Sequence, residues 1–183
     1  MKFRYWILMV VGVLSMTVNA QTLTRDEAQI RSALNSFSAM ADQGAYEYLG
    51  RLFSPELTVD YTSLFGGEPQ KVSRQDLMKQ WAGFLPGFDT TYHELSNMQV
   101  VVNGSSVSAK VDITASHWLG DDGFWAVTGE YAFLMAKVEG HWHITSVTLK
   151  ANSEDGSRDI LAQAPRFAEQ KLKAKEARKN SFE

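Results

Sequence analysis

The sequence predicts an α+β domain, with helices packed on one face of a curved antiparallel sheet. Three observations carry this. Segments with helical spacing of apolar residues precede residue 86, four long alternating segments follow from Thr90, and turns of two to four residues join the alternating segments, which makes successive strands antiparallel.

Residues 1–20 carry Lys2 and Arg4, an apolar run from Tyr5 through Leu14, and the permissive residues Val18, Asn19 and Ala20, the pattern of a cleavable secretory signal peptide. The run is too short for a membrane span. The expected exported form starts at Gln21, is periplasmic or secreted, and has no stable membrane association. Removing Lys2 and Arg4 leaves 16 of 18 basic residues against 21 acidic ones, a net charge of −5 that argues against a nucleic-acid partner. Cysteine is absent, which excludes disulfides, thiolate metal sites and cysteine nucleophiles. With 44% hydrophobic residues, the core alone can hold a domain expected over 21–156.

Thr24 and Glu27 form a capping box that opens the first helix. Ile30, Ala33, Leu34, Phe37, Met40 and Ala41 lie on one stripe, and Gly44 stops it. A second helix is expected over 45–53, ended by Ser54-Pro55. Leu57, Val59 and Tyr61 alternate as the inner row of a strand. Ser73 caps a third helix whose inner stripe is Leu77, Met78, Trp81, Phe84 and Leu85, ended by Pro86-Gly87. The tail, 157–183, with Lys171, Lys173, Lys175, Arg178 and Lys179 on a polar helix, is expected to be solvated.

The hairpin from Tyr92 to Leu119 carries the chemistry. Val107, Ala109, Val111, Ile113, Ala115 and His117 form an odd-numbered inner row in its second strand. Its first strand changes parity: His93, Leu95 and Asn97 are odd, whereas Met98, Val100 and Val102 are even. Such a switch predicts a one-residue β-bulge near Asn97. With 103–106 as a loop, Val102 faces Val107, Leu95 faces Ile113 and His93 faces Ala115. His93 is then diagonal to His117 on the apolar face. A three-residue loop at Asp121-Asp122-Gly123 would pair His117 with Val127, Ala115 with Gly129 and Ile113 with Tyr131. Small Ala115 and Gly129 among aromatic neighbours predict a pocket between helices and sheet. Its expected lining is Phe37, Trp81, Leu95, Asn97, Ile113, Ala115, Trp125, Val127, Gly129 and Tyr131.

Two imidazoles on one apolar wall suit general acid–base work near neutral pH. Asp42 stands in the last turn of the first helix, where the dipole disfavours an anion, which points to a use elsewhere. Tyr61 can donate a hydrogen bond to a carbonyl oxygen. His93, His117 and Asp42 would also suit a two-histidine, one-carboxylate metal site.

This layout resembles the SnoaL-like branch of the nuclear transport factor 2-like superfamily, and within it the scytalone dehydratase-like proteins. The likeness runs from about Ala28 to Ala151 and rests on short motifs: Asp42 at the end of the first helix, Val59-Asp60-Tyr61, Tyr92-His93, and Ser116-His117 before a loop. The resemblance implies a cone-shaped, cystatin-like α+β barrel with a deep pocket. It also implies no cofactor or metal, a small apolar or aromatic, polyketide-like ligand, and dehydration with His93 as base, His117 as acid or orienting partner, Asp42 fixing a histidine tautomer and Tyr61 on the carbonyl side. The family tyrosine before the aspartate is Ala41 here, and its later pocket serine and asparagine correspond to Gly129 and Tyr131. Two functions are therefore expected: a cofactor-independent lyase or isomerase acting next to a carbonyl, or a non-catalytic domain that binds a ligand in the same cavity or dimerises through the outer sheet face.

Overall fold

The computed structural model describes residues 23–121 and 123–180; the expected signal peptide lies outside them. Among the described residues no helix is long and apolar enough to cross a membrane. Helix α1 (Arg25–Asp42) starts as expected, with the Thr24 hydroxyl accepting from the Glu27 amide at 3.2 Å. Its stripe is buried at Ile30, Leu34, Phe37 and Ala41. Helix α2 (Tyr46–Gly50) is shorter than expected, because the chain is already extended at Phe53, where strand β1 (Phe53–Asp60) begins. Pro55 is tolerated there because the pairing of β1 with its neighbour is interrupted between Phe53 and Thr58, so no ladder bond needs its missing N–H.

A single turn, α3 (Thr62–Phe65), follows at once. Asp60 starts it by accepting from the Thr62 amide at 3.0 Å and its hydroxyl at 2.7 Å. Tyr61 thus precedes a helix rather than ending a strand. Strand β2 (Gln70–Ser73) leads into α4 (Arg74–Ala82), capped by Ser73 as expected, and a 3₁₀ turn, Leu85–Gly87, precedes the long strands.

Those strands are β3 (Thr90–Asn103), β4 (Ser106–Leu119), β5 (Gly123–Val138) and β6 (His141–Gly156). The six strands form one curved sheet in the order β2-β1-β6-β5-β4-β3, antiparallel throughout except for the parallel pair β1–β6. The inner row of β4, from Val107 to His117, is buried at every second residue, and so are Trp125, Val127, Tyr131, Phe133 and Met135 of β5.

The bulge lies where the parity switch places it. His93 pairs with Ala115 and Leu95 with Ile113, the register shifts between Ser96 and Gln99, and Val100 pairs with Ala109. Asn97 takes a left-handed backbone conformation at φ 52°. The second hairpin differs from expectation by two residues: His117 pairs with Trp125, Ala115 with Val127 and Ile113 with Gly129. Among the described residues of that turn Gly120 is left-handed, at φ +68°, whereas Gly123 already belongs to β5 opposite Leu119. A shift of two preserves face, so the same side chains still point inward.

Helix α5 (Asp159–Asn180) corrects the expectation of a wholly solvated tail. Ile160, Ala164 and Ala168 are buried at helical spacing against the 3₁₀ turn and the sheet. A Cβ on Gly87 would lie 1.9 Å from the Ala164 carbonyl oxygen, so glycine sets that close approach. The Lys171 ammonium then donates to the carbonyls of Phe88 at 2.7 Å and Gly87 at 3.3 Å.

Candidate functional site

β3 is the edge of the sheet, so its outward backbone groups need partners that are not strands. The last residue of α1 meets part of that need. Asp42 accepts from the His93 amide at 2.9 Å, from the Thr91 hydroxyl at 2.8 Å and from His93 Nδ1 at 2.5 Å. Thr91 and His93 are two apart on one strand face, which lets a single carboxylate reach both. Burial alone would raise the Asp42 pKa, but His93 and Thr91 outweigh it and hold the carboxyl below its ordinary range. The unfavourable helix-end charge is thus compensated by the strand it grips. With Nδ1–H committed to Asp42, Nε2 is the His93 nitrogen left for the cavity.

His117 pairs with Thr91, one step diagonal from His93, and the two rings meet edge to face at 5.4 Å between centroids. It is 3% exposed, packed by Phe88 at 4.7 Å and Trp125 at 5.1 Å, and its Nδ1 has no hydrogen-bond partner among the described residues. Burial first, then the neighbouring His93, push its pKa down to about 3, so it is a neutral imidazole at neutral pH.

Both rings line a cavity of about 510 Å³ between sheet and helices. Phe37, Trp81, Ala115, Trp125, Val127, Tyr131 and Tyr61 line it as expected. Asp42 sits behind His93 rather than on the cavity surface. Four expected lining residues do not reach it. Leu95 and Ile113 belong to the core beyond Ala115. Asn97 is carried outward by the bulge and donates to Asp112 at 2.7 Å. Gly129 opposes Ile113 at a β5–β6 irregularity, where a Cβ would come within 2.3 Å of the Lys150 carbonyl oxygen; its smallness serves strand packing and not pocket space.

The residues that sequence reasoning missed come mostly from helices. Leu64 and Phe65 of α3, Gln80 of α4, and Leu161 and Ala162 of α5 close the other wall, with Phe84 and Leu85 beside them. The stripe Ile160, Ala164, Ala168 was the available signal for α5. The far wall is tied down by Arg158, which donates to the Leu64 carbonyl at 2.8 Å and pairs with Glu154, itself the acceptor for Trp125 Nε1 at 2.9 Å. Among the described residues the cavity lining carries no lysine or arginine.

A curved sheet covered by helices around one apolar cavity, with an ionisable pair set into its wall, defines a small-molecule pocket protein. The sequence matches the SnoaL-like domain family over residues 22–148, and the chain belongs to that family. An uncharacterized protein of Mycobacterium tuberculosis is 32% identical over 87 residues, which is 47% of this chain and 56% of that one. The matched stretch thus spans little more than half the length of this relative. Among solved structures, a Kribbella flavida protein superposes with TM-score 0.67 at 24% identity, over 79% of this chain and 97% of that one. A candidate scytalone dehydratase of Novosphingobium aromaticivorans gives 0.61 at 22%, over 72% and 87%. A hexachlorocyclohexane dehydrochlorinase of Novosphingobium barchaimii gives 0.60 at 14%, over 73% and 91%. The shared fold is the nuclear transport factor 2-like one, with cystatin-like topology.

Proposed function

We propose that this protein is an exported, cofactor-independent lyase or isomerase that removes a proton from the carbon next to a carbonyl of a small cyclic compound. The observation that carries it is the Asp42–His93 pair set into the wall of an apolar cavity. Asp42 holds the tautomer that leaves Nε2 as the base and stabilises the imidazolium formed when that nitrogen takes the proton. The carbon–hydrogen electron pair becomes the new carbon–carbon π bond, and the carbonyl π pair moves onto oxygen. For isomerisation, the His93 imidazolium returns the proton to another carbon. For dehydration, the enolate electrons re-form the carbonyl and expel a β-hydroxyl, which leaves as water with that same proton. The depressed pKa of His117 supports an orienting, hydrogen-bonding role over that of an imidazolium acid.

The fold is shared with proteins named for dehydration and dehydrochlorination, both eliminations, which supports this reading without fixing the substrate. The second reading is a binding domain, favoured by the mainly apolar lining; exposed Val101 and Leu134 on the outer sheet face favour self-association of such a domain. Incubation with a panel of cyclic ketones in deuterium oxide separates the two. Base chemistry places deuterium beside the carbonyl in wild type and not in His93→Ala. Ketone binding without exchange in either protein would leave the binding domain. Detection of the protein in the periplasm or medium, with a mature N-terminus at Gln21, tests export.

A further inference from the structure

We propose that Arg31 is a positioning residue for the Asp42–His93 pair: it holds the Met98 carbonyl at the β3 bulge and so fixes where His93 meets Asp42. This rests on the reading that the pair is the working base of the cavity.

β3 has a strand neighbour on one side only, and its bulge is the point at which it can slip or tilt. Ser96 pairs with Asp112 and Gln99 with Lys110, which leaves Asn97 and Met98 opposite Val111. Backbone groups taken out of the ladder need other partners. From the helix side, the Arg31 guanidinium donates through Nη1 to the Met98 carbonyl at 2.9 Å. Its Nε and Nη2 both donate to Glu27 Oε1, at 3.1 and 2.9 Å, so the planar fork is aimed before it reaches the strand. The two side chains are only 30% and 23% exposed, which shields this pair from solvent more than a surface ion pair is shielded.

α1 therefore grips β3 twice, with Arg31 at the bulge and Asp42 at Thr91 and His93. The spacings agree. Arg31 and Asp42 are eleven residues apart in α1, about three turns, so they lie on one side of the helix about 16 Å from each other. His93 and Met98, five residues apart, are separated by about 16 Å of strand. A slip of two residues preserves face and so is not opposed by the apolar pattern, but it moves β3 by about 7 Å and breaks both grips. With Asp42 alone the edge strand could pivot about one carboxylate. Arg31 lies outside the cavity lining of the described residues, so it acts through His93 and not on the ligand.

The test is proton NMR of the full chain carrying isotope-labelled histidine, beside deuterium incorporation into cyclic ketones. The His93 Nδ1 proton, in a 2.5 Å bond to a carboxylate, is expected as a far-downfield line, assigned by its loss in His93→Ala. Arg31→Met keeps the aliphatic stem and removes the donors. It should broaden that line or move it upfield, and lower kcat by about 10- to 100-fold with KM within about 2-fold of wild type, as a base misplaced by about 1 Å does. Arg31→Lys, which keeps a donor for the carbonyl, should recover most of both. Lys137→Met is the control, because Lys137 ties the same helix to β5 through Asp26 at 2.8 Å without touching β3; line and kcat should stay as in wild type. If Arg31→Met does not fold, Glu27→Gln, which frees the guanidinium and leaves the core intact, carries the test with a smaller shift in the same direction. An unmoved line in Arg31→Met, or in Glu27→Gln where that variant stands in for it, an effect no larger than that of Lys137→Met, or a loss confined to KM would each overturn the proposal. The line is read without turnover. Absence of deuterium exchange in wild type would remove the base chemistry, and the line in Arg31→Met would still decide the positioning.

Discussion

On the sheet side of the cavity Asp42 accepts three hydrogen bonds from Thr91 and His93, and Trp125 gives its indole proton to Glu154, while the buried His117 Nδ1 has no partner among the described residues. On the helix side the lining is Trp81, Phe84, Leu85, Leu161 and Ala162, with Gln80 exposed at the rim, and that wall is held from outside by Lys171 and Arg158. The difference separates two tasks. The two histidines are placed by strand register, which tolerates no drift, whereas most side chains that shape the opposite wall come from helices that can be refitted one side chain at a time.

Breaking the sheet side should have the largest effect. Asp42→Asn and His93→Ala are each expected to lower the rate of deuterium incorporation by on the order of 10³-fold, read by mass spectrometry, with ketone affinity changed far less. Should Asp42→Asn leave the rate intact, the carboxylate only braces the edge strand. On the helix side, Gly87→Ala drives a Cβ into the Ala164 carbonyl and should cost about 1–3 kcal/mol in urea unfolding, with earlier proteolytic cutting in α5.

Acid sharpens the contrast. The folded pKa of His117 is depressed to about 3, so below its ordinary value of about 6.5 the unfolded chain binds the proton and the folded one does not. Stability is full above pH 6.5 and declines toward pH 3, with a slope of up to about 1.4 kcal/mol per pH unit from this group. Asp42, also depressed, acts in the same direction at lower pH. His117→Leu should flatten the decline between pH 6.5 and 5, measured by thermal melts; an unchanged slope would mean that another group carries it. The smallest effect belongs to Lys171→Met, about 1 kcal/mol, with faster amide exchange confined to α5 and the 3₁₀ turn.

The placement of His93 was readable because hydrophobic parity is a binary signal: a strand that changes from odd to even must contain an unpaired residue. The β4–β5 register was not readable, since Gly120 and Gly123 both suit a turn and the two alternatives differ by an even step that leaves every face unchanged. Asn97 shared the parity of His93 and Leu95, yet the bulge it forms turns it away. Asp42 declared itself by violating a helix-end rule. The packed half of α5 was hidden because its inner stripe is built largely from alanines, whose burial depends on a glycine more than 70 residues upstream.

The bulge also constrains how the gene can vary. Between Leu95 and Val100, losing a single codon would restore unbroken alternation and carry His93, Thr91 and the Asp42 grip to the outside, while the hairpin tip and the inner row of β4 kept their places. The same loss at the 103–106 tip would change only a loop. Among relatives, length changes in β3 should therefore come in pairs, or else coincide with loss of the histidine.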